Sequence, residues 1–463
     1  MHDYPLYPVP ECHSFYDFLN SIHNRFSKKT AFRSKAECWS YQDLYDGVCT
    51  FSSRLKNSKN DAYWVRVKSP FLFAIAYFSV IITGNIAFLL EDWPEGFGGD
   101  VQPVCIQDDD VLGCLKKGYV HYLPALGACL DINAVCTVVK SSGTTSVAKG
   151  VMLSQENLLS DTIAGMQILE YANDSVYLNV LPYSHLFGVV ADLLGPLYSG
   201  ATICFSDNKL DFFGGLRFFK PTNLNVPPIL VEGIAKLLQR TKDFETATGG
   251  NLRKIMCAGA KLDDSLNDEF ERYGLRVYAA YGLTECSPCV SMNRDKYFKP
   301  GSAGKILPCC EVKIEDGEIA VRGANVMIGY LNDPEATASV IRNGWLYTGD
   351  LGYVDRDGFL FLEGRKTNLI VFEDGTKLMP EALEDLLVRI PGISECMVSS
   401  IIQNNRNMLD IVVVSQSDDW DIIVSAVKDI CKQQYVFPKV ANIQVTASEL
   451  PKNKLGKIIR TRN

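Results

Sequence analysis

From Phe71 to Leu90 the chain runs twenty residues without a charge, and a stretch of that kind has to be buried, either in a bilayer or inside protein. Ser79, Thr83, Gly84 and Asn85 interrupt it, and Gly84-Asn85 is a turn signal. The segment therefore reads as a buried helix (FLFAIAYFSVII), a turn and a strand (IAFLL), not as a membrane span. Further along, short β-branched runs alternate with helical patterns: AVCTVV (134–139) before a helix after Ser154, VYLNVL (176–181), and IVVV (411–414) before a helix after Asp419. That alternation predicts α/β architecture with largely buried sheets. Ser154 is a natural N-cap, with Glu156 in the first turn beside unpaired N–H groups.

Composition narrows the function. The 463 residues carry 46 basic and 54 acidic side chains, a net charge of −8, which leaves no basic footprint for nucleic acid. Fifteen cysteines are scattered along a chain whose start, MHDYPLYPVP, lacks the pattern of a signal peptide. Reduced thiols in a cytoplasm are expected, with no transmembrane segment.

The region after Arg365 reads as a small unit with its own core. LIVF (369–372) suggests a strand and EDGT a turn. Pro380 suits a helix start, and Leu383, Leu386, Leu387 and Ile390 form one apolar stripe. Two strand-like runs (ECMVSSII and MLDIVVV) and a helix from about Asp421 to Gln434 complete it. A large multi-sheet domain over residues 1–365 followed by a small α+β domain over 366–463 is the expected division.

The most informative local feature is Lys140-Ser-Ser-Gly-Thr-Thr-Ser-Val-Ala-Lys-Gly-Val151, a hydroxyl-rich glycine loop directly after a strand. Backbone N–H groups, hydroxyls and an ammonium together suit polyphosphate oxygens. The loop is not a Walker A motif, because Ala148 and Gly150 flank Lys149 where that motif needs Gly before the Lys and Ser or Thr after it.

Six further segments follow in order: LPYSHLFG (181–188), CAGAKL (257–262), YGLTE (281–285), GEIAVRGANVMIGYLNDPEAT (317–337), GWLYTGDLGYVDRDGFLFLEGRKTNLI (344–370) and LPKNKLGKIIR (450–460). Together with the loop they resemble the adenylate-forming superfamily of acyl-CoA synthetases, adenylation domains of peptide synthetases and beetle luciferases. The resemblance runs from about residue 130 to 460, and more weakly through the N-terminal third.

The resemblance implies an ATP-dependent acid–thiol ligase that makes an acyl adenylate and passes the acyl group to coenzyme A or to the phosphopantetheine arm of a carrier protein. Ser141, Ser142, Gly143, Thr144, Thr145 and Lys149 would hold the β- and γ-phosphates. Gly259, Ala260 and Lys261 would run along the adenine, with Tyr281 stacked on it beside Gly282. Thr284 would meet the α-phosphate, and Glu285 with Thr144 would hold Mg²⁺. Asp350 would accept from the ribose hydroxyls, a role suited to a carboxylate's paired acceptors, and Arg365 would reach the ribose or phosphate. Lys457 would bridge the carboxylate and the α-phosphate, and His185 would sit at the mouth of the acid pocket.

This chain departs from the family pattern at Ser146 and Ala148, where Gly and Pro are usual, and at the hinge, where Thr367 stands for Asp or Lys. The loop hydroxyls and Lys149 are kept, so activity is expected. A weakened nucleotide- or acyl-binding regulator is the competing reading that Ser146 and Ala148 motivate; Glu285, Asp350, Arg365 and Lys457 speak against it. For the substrate, YSHLFG lacks the Asp that amino-acid-activating relatives place near the pocket, and IVFEDGTKLMPEALE resembles the long-chain acyl branch. A fatty acid is expected first, an aryl acid second.

Cys286-Ser-Pro-Cys289 and Cys309-Cys310 have spacings that metal and redox sites also use. Adjacent cysteines in a strand point to opposite faces, so small buried hydrophobes are the better reading. The five histidines (2, 13, 23, 121 and 185) show no H-x-x-x-H pair, and there is no GxSxG or GxGxxG element. Asp264-Ser265-Leu266 lacks the preceding Gly of a carrier-attachment motif, so no built-in carrier domain is expected.

Overall fold

The computed structural model describes residues 4–55, 59–94, 97–99, 101–120, 130–141, 149–169, 172–206, 211–259, 265–403, 406–417, 419–434, 436–452 and 458. The chain divides into two compact units, residues 1–312 with 321–346, and residues 313–320 with 347–463. The expected boundary at Lys366-Thr367, with Thr367 as the hinge, falls inside the second unit, in the 3₁₀ turn Lys366–Asn368.

In the first unit the uncharged stretch forms the helix Pro70–Ile82, buried along its whole length, and the strand Ile86–Leu89. Gly84 between them has φ +80°, a conformation that glycine adopts without steric cost. Among the described residues no helix is long and apolar enough to cross a membrane.

That strand lies inside a six-stranded sheet. Its order is Gly329–Tyr330, Gly150–Ser154, Val135–Lys140, Ile86–Leu89, Ala62–Val65, Val104–Ile106. The expected strand after 134 is Val135–Lys140. It pairs antiparallel with Gly150–Ser154, so that Lys140 faces Gly150 across the glycine loop. The helix Gln155–Ile168 starts as the sequence suggests, with Ser154 accepting from Asn157 N–H and Asn157 returning the bond.

A nine-stranded sheet carries the other motifs. Its core runs parallel through Val277–Gly282, Lys254–Cys257, Asn223–Val226, Val176–Leu178 and Thr202–Cys204. Leu178, Leu224, Val226, Ile255, Cys257 and Val277 belong to one apolar cluster on this sheet. The strand expected over 176–181 stops at Leu178; Asn179 N–H still donates to Cys204 O at 2.8 Å, and its side-chain amide turns to Leu181 O and to buried Asp192.

The second unit has its own core, in which Leu383, Leu387, Val398, Ile411 and Val427 pack with Ile370 and Phe372. Its elements follow the sequence reading: the helix Pro380–Leu387, the strands Ile393–Gln403 and Arg406–Ser415, and the helix Trp420–Gln433 capped by Asp419. LIVF contributes only a two-residue strand, Ile370–Val371, closed against Lys377–Leu378. Ile390 lies beyond the end of its helix but still packs on the core.

Candidate active site

The strand Val277–Gly282 delivers YGLTE at its C-terminal end. Gly282 pairs with Cys289 in the returning strand, and a Cβ at Gly282 would lie 1.8 Å from Pro288 O; only glycine fits. Leu283 N–H donates to Pro288 O at 2.8 Å. Thr284 and Glu285 then sit in a short 3₁₀ turn.

Two neighbours hold Glu285. Met327 N–H donates to its carbonyl at 2.9 Å, and the Tyr330 hydroxyl donates to Oε1 at 2.9 Å. Tyr330 pairs with Val151, next to the end of the glycine loop, and the Lys149 ammonium lies 4.7 Å from the centre of its ring. Ser141 N–H donates to Lys149 O at 2.9 Å, closing the base of the loop. The fold thus links the flank of the loop to the acid of YGLTE: an ammonium over an aromatic face, and that ring's hydroxyl on a carboxylate.

Behind this turn lies a fully buried acid. Asp161 accepts from Cys289 N–H at 3.1 Å and from the Asn325 amide, while Asn325 Nδ2 donates to Cys289 O at 2.8 Å. Asn157, one helical turn before Asp161, donates to Ala324 O and Val326 O at 2.8 and 2.9 Å. Burial pushes the Asp161 carboxyl well above the usual range, against the pull of these donors.

On the other side of the sheet's end, LPYSHLFG forms a tight turn. Its His185 N–H donates to Pro182 O at 3.1 Å, and a Cβ at Gly188 would meet that same oxygen at 2.5 Å. His185 is half-buried at the start of the short helix Leu186–Val189. A π-helix, Val190–Leu194, follows, a feature that often marks functional segments. Within it Asp192 is completely buried. It accepts from Asn225 Nδ2 at 2.8 Å, Asn179 Nδ2 at 3.2 Å and Leu181 N–H at 3.5 Å. Burial raises its pKa to about 7, with those donors pulling it back down. The nearby hydroxyls of Tyr183 and Ser184 are buried without a hydrogen-bond partner among the described residues.

Tyr281 is buried, and Gly259 has φ +91° with open space where a Cβ would stand, so backbone conformation rather than crowding calls for glycine there. Cys286, Cys289 and Cys309 are held protonated, with burial a raising cause for each. Among the described residues no group of three or more His, Cys, Asp or Glu is arranged to hold a metal.

In the second unit Asp350 and Arg365 face each other across an antiparallel pair, with Nε to Oδ1 at 2.7 Å. Asp350 N–H also donates to the Thr348 hydroxyl at 3.1 Å, and Arg365 reaches Thr348 O at 3.2 Å. Next along the chain Lys366 pairs with Glu318 at 2.7 Å. Asn368 donates to Glu381 at 2.6 Å, while Thr367 is exposed. Ser142, Gly143, Thr144, Thr145, Ser146, Ala148, Ala260, Lys261 and Lys457 lie outside the described residues.

Sequence reasoning assigned no role to Tyr330, Asp161, Asn157, Asn325 or Asp192. Two signals were available: Asn157 and Asp161 lie one turn apart among Leu158, Leu159 and Ala164, and Asp192 is the only charge between Leu186 and Ser199.

Residues 100–331 match the AMP-binding enzyme family. The chain belongs to that family. It is 31% identical to 4-coumarate–CoA ligase 3 of Oryza sativa subsp. japonica over 390 residues, 77% of this chain and 69% of that protein. It is also 31% identical to 4-coumarate–CoA ligase 2 of Nicotiana tabacum over 395 residues, 79% of this chain and 71% of that one. The ligase shares its fold with o-succinylbenzoate CoA synthetase of Bacillus subtilis in complex with its acyl-adenylate intermediate, with a TM-score of 0.79 at 23% identity over 95% of this chain and 96% of that one. It is an acid–thiol ligase.

Proposed function

We propose that the ligase activates a compact aryl acid as its adenylate and transfers the acyl group to coenzyme A. The link from Lys149 through Tyr330 to Glu285 carries this reading, because it places a cation and an acid of two separate motifs on one aromatic side chain. A carboxylate is a poor electrophile; bonding one of its oxygens to the α-phosphorus, with pyrophosphate leaving, turns that oxygen into part of a good leaving group. The thiol then bonds the carbonyl carbon and AMP departs.

Lys149 and the loop residues Ser141 to Thr145 neutralise the β- and γ-phosphates. Gly259, Ala260 and Lys261 line the adenine, Tyr281 stacks on it, and Thr284 donates to the α-phosphate. Mg²⁺ is normally held by one or two carboxylates together with substrate phosphates, so the half-buried Glu285 carboxylate fits it, with Thr144 as the second donor. The ion supplies charge neutralisation of the phosphates. Asp350 and Arg365, already paired, present an acceptor and a donor to the ribose, and Lys457 stabilises charge building up as the acid meets phosphorus. Residues 366–463 act as the mobile domain, turning at Lys366–Asn368.

The relatives named as 4-coumarate–CoA ligases favour the aryl acid over the fatty acid that IVFEDGTKLMPEALE suggests. Acid-dependent exchange of labelled pyrophosphate into ATP, run across aryl, fatty and amino acids, tests the assignment. Fastest exchange with aryl acids is expected, and Lys457→Ala should lower it by roughly 10²–10³. Fastest exchange with fatty acids would restore that substrate, and none with any acid would remove the ligase activity.

A further inference from the structure

The π-helix Val190–Leu194 follows from Pro196. Gly195 N–H donates to Val190 O, five residues back, and Pro196 has no N–H to give. Ala191 O, without either donor, accepts instead from Asn225 Nδ2 at 2.8 Å. The same amide bonds Asp192 at 2.8 Å, so one side chain of a neighbouring strand fixes both the widened turn and the acid within it.

The other bonds of Asp192 gather on one short stretch of chain. Asn179 Nδ2 and the backbone N–H groups of Val180 and Leu181 donate to it, and Asn179 also donates to Leu181 O at 3.1 Å. These residues lead from the strand Val176–Leu178 into LPYSHLFG. Beyond them Tyr183 packs on Phe73, with ring centres 4.6 Å apart, and the buried hydroxyls of Tyr183 and Ser184 have no partner among the described residues. A buried hydroxyl left unbonded costs stability, and a bound molecule that bonds it offsets that cost.

The turn also lies where a ligand is expected. The strands Val176–Leu178, Asn223–Val226, Lys254–Cys257 and Val277–Gly282 are parallel neighbours in that order, and ligands of open α/β sheets bind outside the carboxyl ends of such strands. LPYSHLFG leaves the first strand and YGLTE the fourth, three spacings of about 4.8 Å away, or roughly 14 Å. Asp192 bonds at the ends of the first two strands, whereas Glu285 follows the fourth.

We infer that Asp192 is a positioning residue for acid activation: its carboxylate gathers Asn179, Val180, Leu181 and Asn225, and so sets how the turn presents Tyr183, Ser184 and His185 to the acid. This role presupposes the acid-ligase reading above. Ionised, the carboxyl accepts from all four N–H donors. Protonated, it loses acceptor capacity and turns a hydrogen toward donors, and the turn is held less firmly. Burial, opposed by those donors, brings the change to about pH 7.

The four donors carry no charge. Tyr183 keeps its proton, through burial first and the Asp192 charge second. On the helices packed against the π-helix, Asp161 faces Cys289 and the Tyr198 hydroxyl donates to Pro10 O. Histidine side chains ordinarily titrate near neutrality as well, so the variants have to separate Asp192 from His185, seven residues earlier.

Exchange of labelled pyrophosphate into ATP is followed in the whole chain from about pH 6 to 8.5, with 4-coumarate, benzoate and octanoate as probe acids. KM for the acid should fall roughly 3- to 10-fold as pH rises through the Asp192 transition. Asp192→Asn should remove this step and keep KM for the acid high at about pH 8, with KM for ATP unchanged. Asn225→Ser takes one donor from the carboxyl and should move the step to higher pH. Hydrogen exchange read by mass spectrometry should show residues 179–188 opening in Asp192→Asn while residues 284–292 stay as they were. A step that survives Asp192→Asn, or KM values for acid and ATP that rise together, would overturn the role and leave the ligase reading standing. Opening confined to 179–188, with no pyrophosphate exchange from any acid, would uphold the hold of Asp192 on the turn and sink the ligase reading.

Discussion

Asp161 and Asp192 are both completely buried in the first unit, and each holds a motif at the end of the same sheet. Asp161 backs the turn after YGLTE through Cys289, and Asp192 ties LPYSHLFG to two neighbouring strands through Asn179, Leu181 and Asn225. They differ in how many donors face them. Asp192 is offered more, and its pKa stops at about 7; Asp161 is offered fewer, and burial carries it well beyond the usual range. Burial sets the direction of both shifts and the donors oppose it, while at Asp161 the neighbouring Cys310 adds to the rise. Behind YGLTE the buried carboxyl is raised well above its usual range; behind LPYSHLFG it is raised to about 7.

The largest consequence is a pH dependence of stability. Because the folded pKa of Asp192 lies above its unfolded value, the fold binds the extra proton between about pH 4 and 7, and stability falls as pH rises through that window. The span from 3.8 to about 7 corresponds to at most about 4 kcal/mol. Urea unfolding at pH 4.5 and 7 should show the loss, and Asp192→Asn should lessen it while leaving the share of Asp161, whose raised carboxyl acts in the same direction; an unchanged slope in that variant would remove Asp192 from the account.

Asp192→Ala strips an acceptor from two buried amides, and a loss of about 3 kcal/mol is expected near pH 5 by the same method. At Asp161 the comparison predicts a smaller penalty for a neutral mimic: Asp161→Asn should cost under about 1 kcal/mol and Asp161→Ala about 2. Equal costs for Asn and Ala would mean that Asp161 is charged after all. The smallest effect belongs to Tyr330→Phe, which keeps the ring beneath Lys149 but removes the hydrogen bond to Glu285; KM for ATP should rise roughly 3- to 10-fold with the fold intact.

The layered fold was legible because its signals are local. An uncharged run broken by Gly84-Asn85, Ser154 before a helical pattern, and Pro380 before an apolar stripe each specify an element without help from distant residues. The motif residues were legible as a series, and the structure brings Lys149 and Glu285 together through a residue, Tyr330, that lay within a quoted motif without an assigned part. What escaped is non-local. The anchoring of Asn179 depends on Asp192, thirteen residues on, and the work of Asp161 depends on Cys289, 128 residues away. The meeting of Tyr177, Asn223, Lys254 and Tyr278 escaped for a similar reason: they come from four strands, and no spacing in the sequence shows that they share one wall.

Tracing a carboxylate oxygen tests the central claim most directly. An aryl acid labelled with ¹⁸O in its carboxylate is turned over with ATP, Mg²⁺ and coenzyme A, and the phosphorus products are weighed by mass spectrometry. Attack of the acid on the α-phosphorus predicts AMP carrying one labelled oxygen and unlabelled pyrophosphate. Unlabelled AMP, or ADP with label in inorganic phosphate, would contradict it.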